Sequence, residues 1–168
     1  MNIRSITHGS LWHVAAIDLL LLAVGCSVPA LSHLLSLPLY WLNPMLLVLL
    51  LGMVLVRDRR NGYLLALLLP LFSMLVVGMP TPAKAICMVT EYATVVFVCG
   101  RLQAWKGHLW GTMGALLVSM LCGKVVYYLL KALVLSPAVL FGTPVLVQLS
   151  VMLASALVFA LLIRIVEK

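Results

Sequence analysis

Three ionisable side chains interrupt long apolar stretches of this 168-residue chain, and they are its first candidates for chemistry. They are Asp18, Glu91 and Lys124. A charged group at membrane depth is costly unless it meets a partner or water. The three residues are therefore expected either to pair with other groups or to line a water-filled ligand cavity.

Glu91 and Lys124 fall at similar predicted depths. At about 1.5 Å per helical residue, Glu91 lies about 14 Å from the outer start of one apolar run, and Lys124 about 15 Å from the outer end of the next. Their opposite charges favour a buried ion pair or a shared ligand cavity. For Lys124, extension toward the membrane surface is the alternative. Asp18 lies too far toward the inner side to join them, and a contact with another subunit is the hypothesis for it.

Other polar side chains follow these two residues at helical spacing. Lys84 lies two turns before Glu91 on the same stripe, which indicates a pocket that opens toward the outer side. Lys124 begins a stripe of aromatic and cationic side chains that continues with Tyr127, Tyr128 and Lys131. Cationic donors between aromatic rings suit a ligand site. For Tyr128 and Lys131, an interfacial aromatic and basic belt is the alternative.

The composition excludes several functional classes. With 65% hydrophobic and 9% charged residues, the chain lacks the polar surface that a soluble domain needs. The net charge of +7 comes from short basic clusters between apolar runs, so these residues are interpreted as topology determinants without a nucleic-acid partner. No catalytic set, metal-ligand spacing or phosphate-binding glycine loop is recognisable. We therefore expect no enzyme activity and no metal or cofactor.

Prolines, glycines and charged residues divide the chain into six apolar runs. The pattern predicts an all-α integral membrane bundle, a single domain over residues 1–168, with both termini cytoplasmic. The second and third runs are shorter than the about 20 residues of a typical span, so we expect them to tilt little or to be sheltered. Residues 57–62 are predicted to form a charged loop that ends in an Asn-Gly turn. The predicted spans are about 11–35, 45–56, 63–77, 82–99, 109–135 and 145–163.

The basic residues predict the orientation, because Lys and Arg concentrate in cytoplasmic segments. With the amino terminus inside, only Lys84 and Lys131 fall on the outer side. The inner side then carries Arg4, Arg57, Arg59, Arg60, Arg101, Lys106, Arg164 and Lys168.

An ordered series of short motifs adds a family resemblance over about residues 43–100. A short helix ends in a leucine-glycine turn, a glycine-led helix contains a proline-leucine-serine step, and a glycine-methionine-proline turn introduces a helix with an acidic residue. In this order the chain resembles an S component, the substrate-binding membrane subunit of an energy-coupling factor (ECF) transporter. The motifs are Asn43-Pro44-Met45, Leu51-Gly52-Met53, Asn61-Gly62-Tyr63, Pro70-Leu71-Phe72-Ser73, Gly78-Met79-Pro80 and Glu91.

The resemblance implies a function and a set of partners. Such a subunit captures a vitamin or related micronutrient outside a bacterial or archaeal cytoplasmic membrane. It works with a transmembrane coupling subunit and two ABC ATPases, which use the ATP. Family ligand sites lie in the outer half of the bundle. Carried over to this chain, the expected substrate-binding residues are Trp41, Asn43, Met79, Lys84, Glu91, Lys124 and Tyr128.

The first helix departs from the family pattern. Alanines four residues apart, which dock on the coupling subunit in the family, do not occur there. Ala16, Ala23 and Ala30 form a stripe at seven-residue intervals that is the candidate docking face instead. The rival hypothesis is a structural scaffold of the rod-shape-determining MreD kind, which has similar length, helix number and charge but needs no buried ion pair.

Overall fold

A computed structural model of the chain describes residues 11–35, 42–102, 108–134 and 144–167. These residues form six α-helices joined by short connections, with no strand among them. The predicted all-α class is therefore confirmed, and most helix ends agree with the predicted spans to within a few residues. The helices are α1 (Leu11–Leu35), α2 (Pro44–Val56), α3 (Arg59–Val77), α4 (Pro82–Arg101), α5 (Leu109–Val134) and α6 (Val145–Glu167).

The start of α3 corrects the sequence prediction. Asp58 is the N-cap of this helix, and its side chain accepts a hydrogen bond from the Arg60 backbone N–H at 3.0 Å. This bond satisfies one of the unpaired donors of the first turn. Asn61 and Gly62 are therefore helical, and the predicted Asn-Gly turn was wrong. With 19 residues, α3 is long enough to cross a bilayer without special shelter.

Four helices, α3 to α6, are long and apolar enough to cross a membrane. The segment Trp12–Val28 of α1 is apolar but shorter, and so is α2. With 13 residues, α2 spans about 20 Å, whereas the hydrocarbon core of a bilayer is about 30 Å thick. The expected shelter is present, because α2 packs against α1, α3 and α6 and most of its side chains are buried.

The six helices share one apolar core. Sequential packing of α3, α4, α5 and α6 forms one side of the bundle, and α1 contacts both α2 and α3. Large apolar side chains also cover the outside of the bundle, as expected for a surface that meets lipid. The core includes Leu21, Leu49, Leu65, Tyr92, Met120 and Ala156, one from each helix in turn.

Candidate functional site

The close approach of α4 and α5 positions the candidate site. At Gly123 of α5, an added Cβ would lie 2.7 Å from Val95 Cγ2 and 3.0 Å from the Glu91 carbonyl oxygen. A side chain at this position would therefore collide with α4, and glycine lets the two backbones meet. The next residue along α5 is Lys124, which this contact places beside Glu91.

Glu91 and Lys124 form an ion pair across α4 and α5. Lys124 Nζ lies 2.7 Å from Glu91 Oε1, and the side chains are 19% and 2% exposed, respectively. The predicted match in depth and opposite-charge pairing are both present. Lys124 Nζ also lies 5.1 Å from the centroid of the Tyr127 ring, within the range of a cation–π interaction. A cation and an anion are thus held side by side near the middle of two apolar helices.

Two further lysines lie nearer the predicted outer end of the same helices. Lys84 precedes Glu91 by seven residues and Lys131 follows Lys124 by seven, so in antiparallel helices they reach the same level, two turns farther out. Lys84 is exposed and Lys131 is partly exposed. Together with the ion pair, this column of side chains carries three ammonium groups and one carboxylate, an excess of positive charge.

Tyr128 and Asn43 make hydrogen bonds to neighbouring helices. The Tyr128 hydroxyl donates to Gln148 Oε1 at 2.7 Å, which connects α5 to α6. The Tyr92 hydroxyl donates to Asn43 Oδ1 at 3.1 Å, which connects the buried middle of α4 to the start of α2. Tyr128 also makes an edge-to-face contact with Tyr127, with the ring centroids 5.4 Å apart. Both predicted site residues therefore help to hold the helices that surround the ion pair.

The remaining predicted residues lie apart from the ion pair or outside the described residues. Met79 is on the turn between α3 and α4, where its side chain is exposed and its carbonyl accepts a hydrogen bond from Ser73 Oγ at 2.8 Å. Trp41 lies outside the described residues. Ala16 and Ala23 are exposed on α1, and the side chain of Ala30 is outside the described part of that helix.

Asp18 has a partner within the chain. Asn61 Nδ2 donates to Asp18 Oδ1 at 2.9 Å, and both side chains are buried between α1 and α3. Asp18 is thus satisfied within the chain, and the contact with another subunit stays a prediction. The predicted turn at Asn61 left this amide out of the candidate residues, although a polar side chain within an apolar helix indicates that some buried partner is needed.

Sequence reasoning also missed three supporting residues. Gly123 precedes Lys124 in an apolar helix, where small residues allow close backbone contact. Tyr92 is a fully buried phenol, and such groups require a hydrogen-bond acceptor. Gln148 is the only amide side chain of the apolar α6. In each case the residue type indicates that a close contact or a hydrogen-bond partner is needed, but only the tertiary structure shows which residue that partner is.

A separate cleft of about 480 Å³ lies at the other end of α4, about ten residues beyond Glu91. It is lined by Arg59 and Tyr63 of α3 and by Phe97, Gly100 and Arg101 of α4. This cleft faces the predicted inner side, whereas the stripe of Lys84 and Glu91 predicts an outward pocket. The outward pocket stays a prediction.

Comparison with known protein families, curated proteins and solved structures finds no match to the chain. The role of the site must therefore be inferred from the ion pair, the lysines near it and the motifs of the sequence. The ion pair is the feature with the clearest chemical consequence, because it fixes two opposite charges in an apolar environment.

Proposed function

We propose that the chain is the S component of an ECF-type importer and binds a small, charged nutrient between Glu91 and Lys124. The observation that carries the proposal is the ion pair, with its carboxylate only 2% exposed. A buried ion pair is often no more stable than apolar residues of the same volume. Ionisable residues inside apolar helices are, by contrast, typical of substrate pathways. A purely structural bundle has no need of this pair.

A ligand with both signs of charge can exchange partners with the pair. Its cationic group would replace Lys124 at Glu91, and its anionic group would replace Glu91 at Lys124. Every buried charge then keeps a partner before and after binding, so neither state leaves an uncompensated charge. Lys124 is 19% exposed and has a flexible stem, which suits the side chain that must move first.

The lysines farther out support a net negative or zwitterionic nutrient. The column formed by Lys84, Glu91, Lys124 and Lys131 has an excess of positive charge. Such a column attracts a carboxylate or phosphate toward the site before contact is made. A nutrient that carries one amine and at least one acidic group therefore fits both the column and the ion pair.

The surrounding residues have supporting roles in this proposal. The Tyr128–Gln148 and Tyr92–Asn43 hydrogen bonds hold α6 and α2 against the helices of the pair. Met79, on the turn between α3 and α4, would cover the ligand on the outer side, and Trp41 stays a predicted ligand contact.

The partners follow from the same proposal. Both termini are cytoplasmic, and a coupling subunit with two ABC ATPases drives uptake. The exposed small residues of α1, Ala16 and Ala23, offer the face on which the coupling subunit docks.

The test begins with native mass spectrometry of the purified chain to identify a retained small molecule. The affinity for that molecule is then measured for Glu91→Gln and Lys124→Met. Loss of one charge-assisted bond corresponds to about 1.5–3 kcal/mol, so each variant should bind about 10- to 150-fold more weakly.

Asp58→Asn and Arg60→Met serve as matched controls, because each removes a similar charge at the start of α3 and Asn still caps the helix. Unchanged affinity in both site variants would reject the site. Co-purification with cell-wall synthesis proteins, without ATPases or a small molecule, would favour the MreD-like scaffold instead.

A further inference from the structure

The cleft at the predicted inner ends of α3 and α4 has two chemically distinct layers. Arg59 is the first residue of α3 and Arg101 the last residue of α4, so both guanidinium groups lie at the end of the bundle. Tyr63 and Phe97 lie one helical turn deeper on the same faces, about 6 Å farther into the bundle. The cleft therefore has a cationic rim above aromatic walls.

Contacts within the cleft hold this arrangement. One Arg59 Nη donates a hydrogen bond to the Gly100 carbonyl oxygen, and the guanidinium lies against the Gly100 backbone. The Arg101 guanidinium lies over the Phe97 ring, 5.1 Å from its centroid. Both arginines are nevertheless exposed, and a guanidinium has five N–H donors, which leaves donors beyond these contacts for an anion.

The aromatic walls are open to the side of the bundle. Tyr63 is 40% exposed and Phe97 is 50% exposed, on helices that are long and apolar enough to cross a membrane. Among the described residues, the cleft lining includes two arginines and no carboxylate. The nearby Asp58 carboxylate caps α3 through the Arg60 N–H. The cleft is therefore complementary to a molecule with an anionic head and an apolar tail.

We propose that this cleft binds the phosphate of an anionic phospholipid, with the Arg59 and Arg101 guanidinium groups on its oxygens and an acyl chain along Tyr63 and Phe97. Planar guanidinium groups suit phosphate, and basic clefts between membrane helices bind lipid headgroups. The depth of each layer agrees with this pose, because headgroups lie at the level of helix ends and acyl chains begin one turn deeper. A lipid held there would bridge the start of α3 and the end of α4.

The experiment is native mass spectrometry of the full-length chain exposed to an equimolar mixture of phosphatidylglycerol and phosphatidylcholine. Both lipids carry a phosphate, but the choline cation of phosphatidylcholine offsets its charge and would lie near the two guanidinium groups. The two arginines are therefore expected to give about a 30-fold preference for phosphatidylglycerol, at about 1 kcal/mol for each and 1.4 kcal/mol per tenfold. The variant Arg59→Gln/Arg101→Gln should lose this preference.

A control variant, Arg60→Gln/Arg164→Gln, removes the same charge from the same end of the bundle but leaves the cleft intact. It should keep the preference. Equal losses in the two variants would indicate a diffuse charge effect and overturn the proposal, as would equal binding of both lipids to the unaltered chain. Displacement of the lipid by soluble glycerol phosphate would also overturn it, because the cleft would then be a site for free phosphate.

The variant Gly100→Ala tests the cleft without changing any charge, and alanine is compatible with the helical backbone at this position. The added methyl carbon would lie 2.8 Å from Arg59 Nε, so the guanidinium must move. We expect the preference for phosphatidylglycerol to fall about fivefold, the contribution of one arginine. An unchanged preference would contradict the role of Arg59, even if the double variant fails to fold. All these variants keep Glu91 and Lys124, so the outcome does not depend on the nutrient-binding proposal.

Discussion

Removal of one member of the Glu91–Lys124 pair should destabilise the bundle by an amount that depends on which charge remains. Lys124→Met leaves a carboxylate that is 2% exposed without its cation. Removing one partner of a buried ion pair in this way lowers the free energy of unfolding by about 3–5 kcal/mol. Glu91→Gln leaves Lys124, which is 19% exposed and can extend its ammonium group toward water. For this variant we expect a loss of about 1–2 kcal/mol.

The double variant Glu91→Gln/Lys124→Met gives the decisive comparison. It contains no buried charge, so it should be more stable than Lys124→Met alone, with a coupling energy of about 2 kcal/mol. The measurement is the free energy of unfolding in mixed detergent micelles, from a titration with sodium dodecyl sulfate followed by circular dichroism. All variants are compared without ligand, so the result is separate from nutrient binding.

Two outcomes would refute the reasoning. Equal losses for the two single variants would mean that the difference in exposure between Glu91 and Lys124 has no energetic consequence. Strictly additive losses in the double variant would mean that the two charges do not interact in the folded chain. Either result would refute this energetic account of the ion pair.

Two further predictions concern the contacts that position the helices. Gly123→Ala should lower the free energy of unfolding by about 1–3 kcal/mol, because its Cβ would lie 2.7 Å from Val95 Cγ2. The matched control is Gly114→Ala on the same helix. Its Cβ meets nothing within 4 Å, so this variant should be neutral or slightly stabilising. A similar loss of unfolding free energy for both alanine variants would contradict the close approach of α4 and α5. Asn61→Leu should lose about 1–3 kcal/mol because it leaves the buried Asp18 carboxylate without its donor, and Asp18→Leu/Asn61→Leu should recover much of this loss. The same unfolding titration measures both, and a double variant less stable than Asn61→Leu would refute the pairing.

Polar contacts connect the helices at two levels of the bundle. Near the predicted inner end, Asp18–Asn61 connects α1 to α3, and Arg59 connects α3 to the Gly100 carbonyl of α4. In the middle and toward the predicted outer end, the Glu91–Lys124 pair and the Tyr128–Gln148 bond connect α4 to α5 and α5 to α6. The two proposed sites thus lie at different levels of the bundle, one between α4 and α5 and the other between α3 and α4, and they can be altered separately.

The six helices and the candidate ion pair could be predicted from the amino-acid sequence alone. Runs of apolar residues bounded by proline, glycine and charge define helices almost independently of tertiary context, since a backbone in an apolar medium must satisfy its own hydrogen bonds. The depth of Glu91 and Lys124 followed from their positions within these runs at a fixed rise per residue. Two helix ends were each misplaced by four residues. The start of α3 was placed too late, because an Asn-Gly pair is typical of turns and the Asp58 cap outweighed that tendency. The end of α6 was placed too early, since the helix continues past residue 163 to Glu167 through Arg164 and the apolar residues that follow it.

Which side chains contact one another depends on the tertiary packing and could not be predicted from the sequence. No periodicity could show that Asn61 reaches Asp18, or that Tyr92 reaches Asn43, because these partners are more than 40 residues apart in the chain. Helix rotation and crossing depend on side-chain packing, such as the contact of Gly123 with α4, and not on hydropathy. The same packing brought Arg59 to the Gly100 carbonyl and so formed the cleft at the predicted inner end. In the sequence, Arg59 and Arg101 belong to two separate basic clusters.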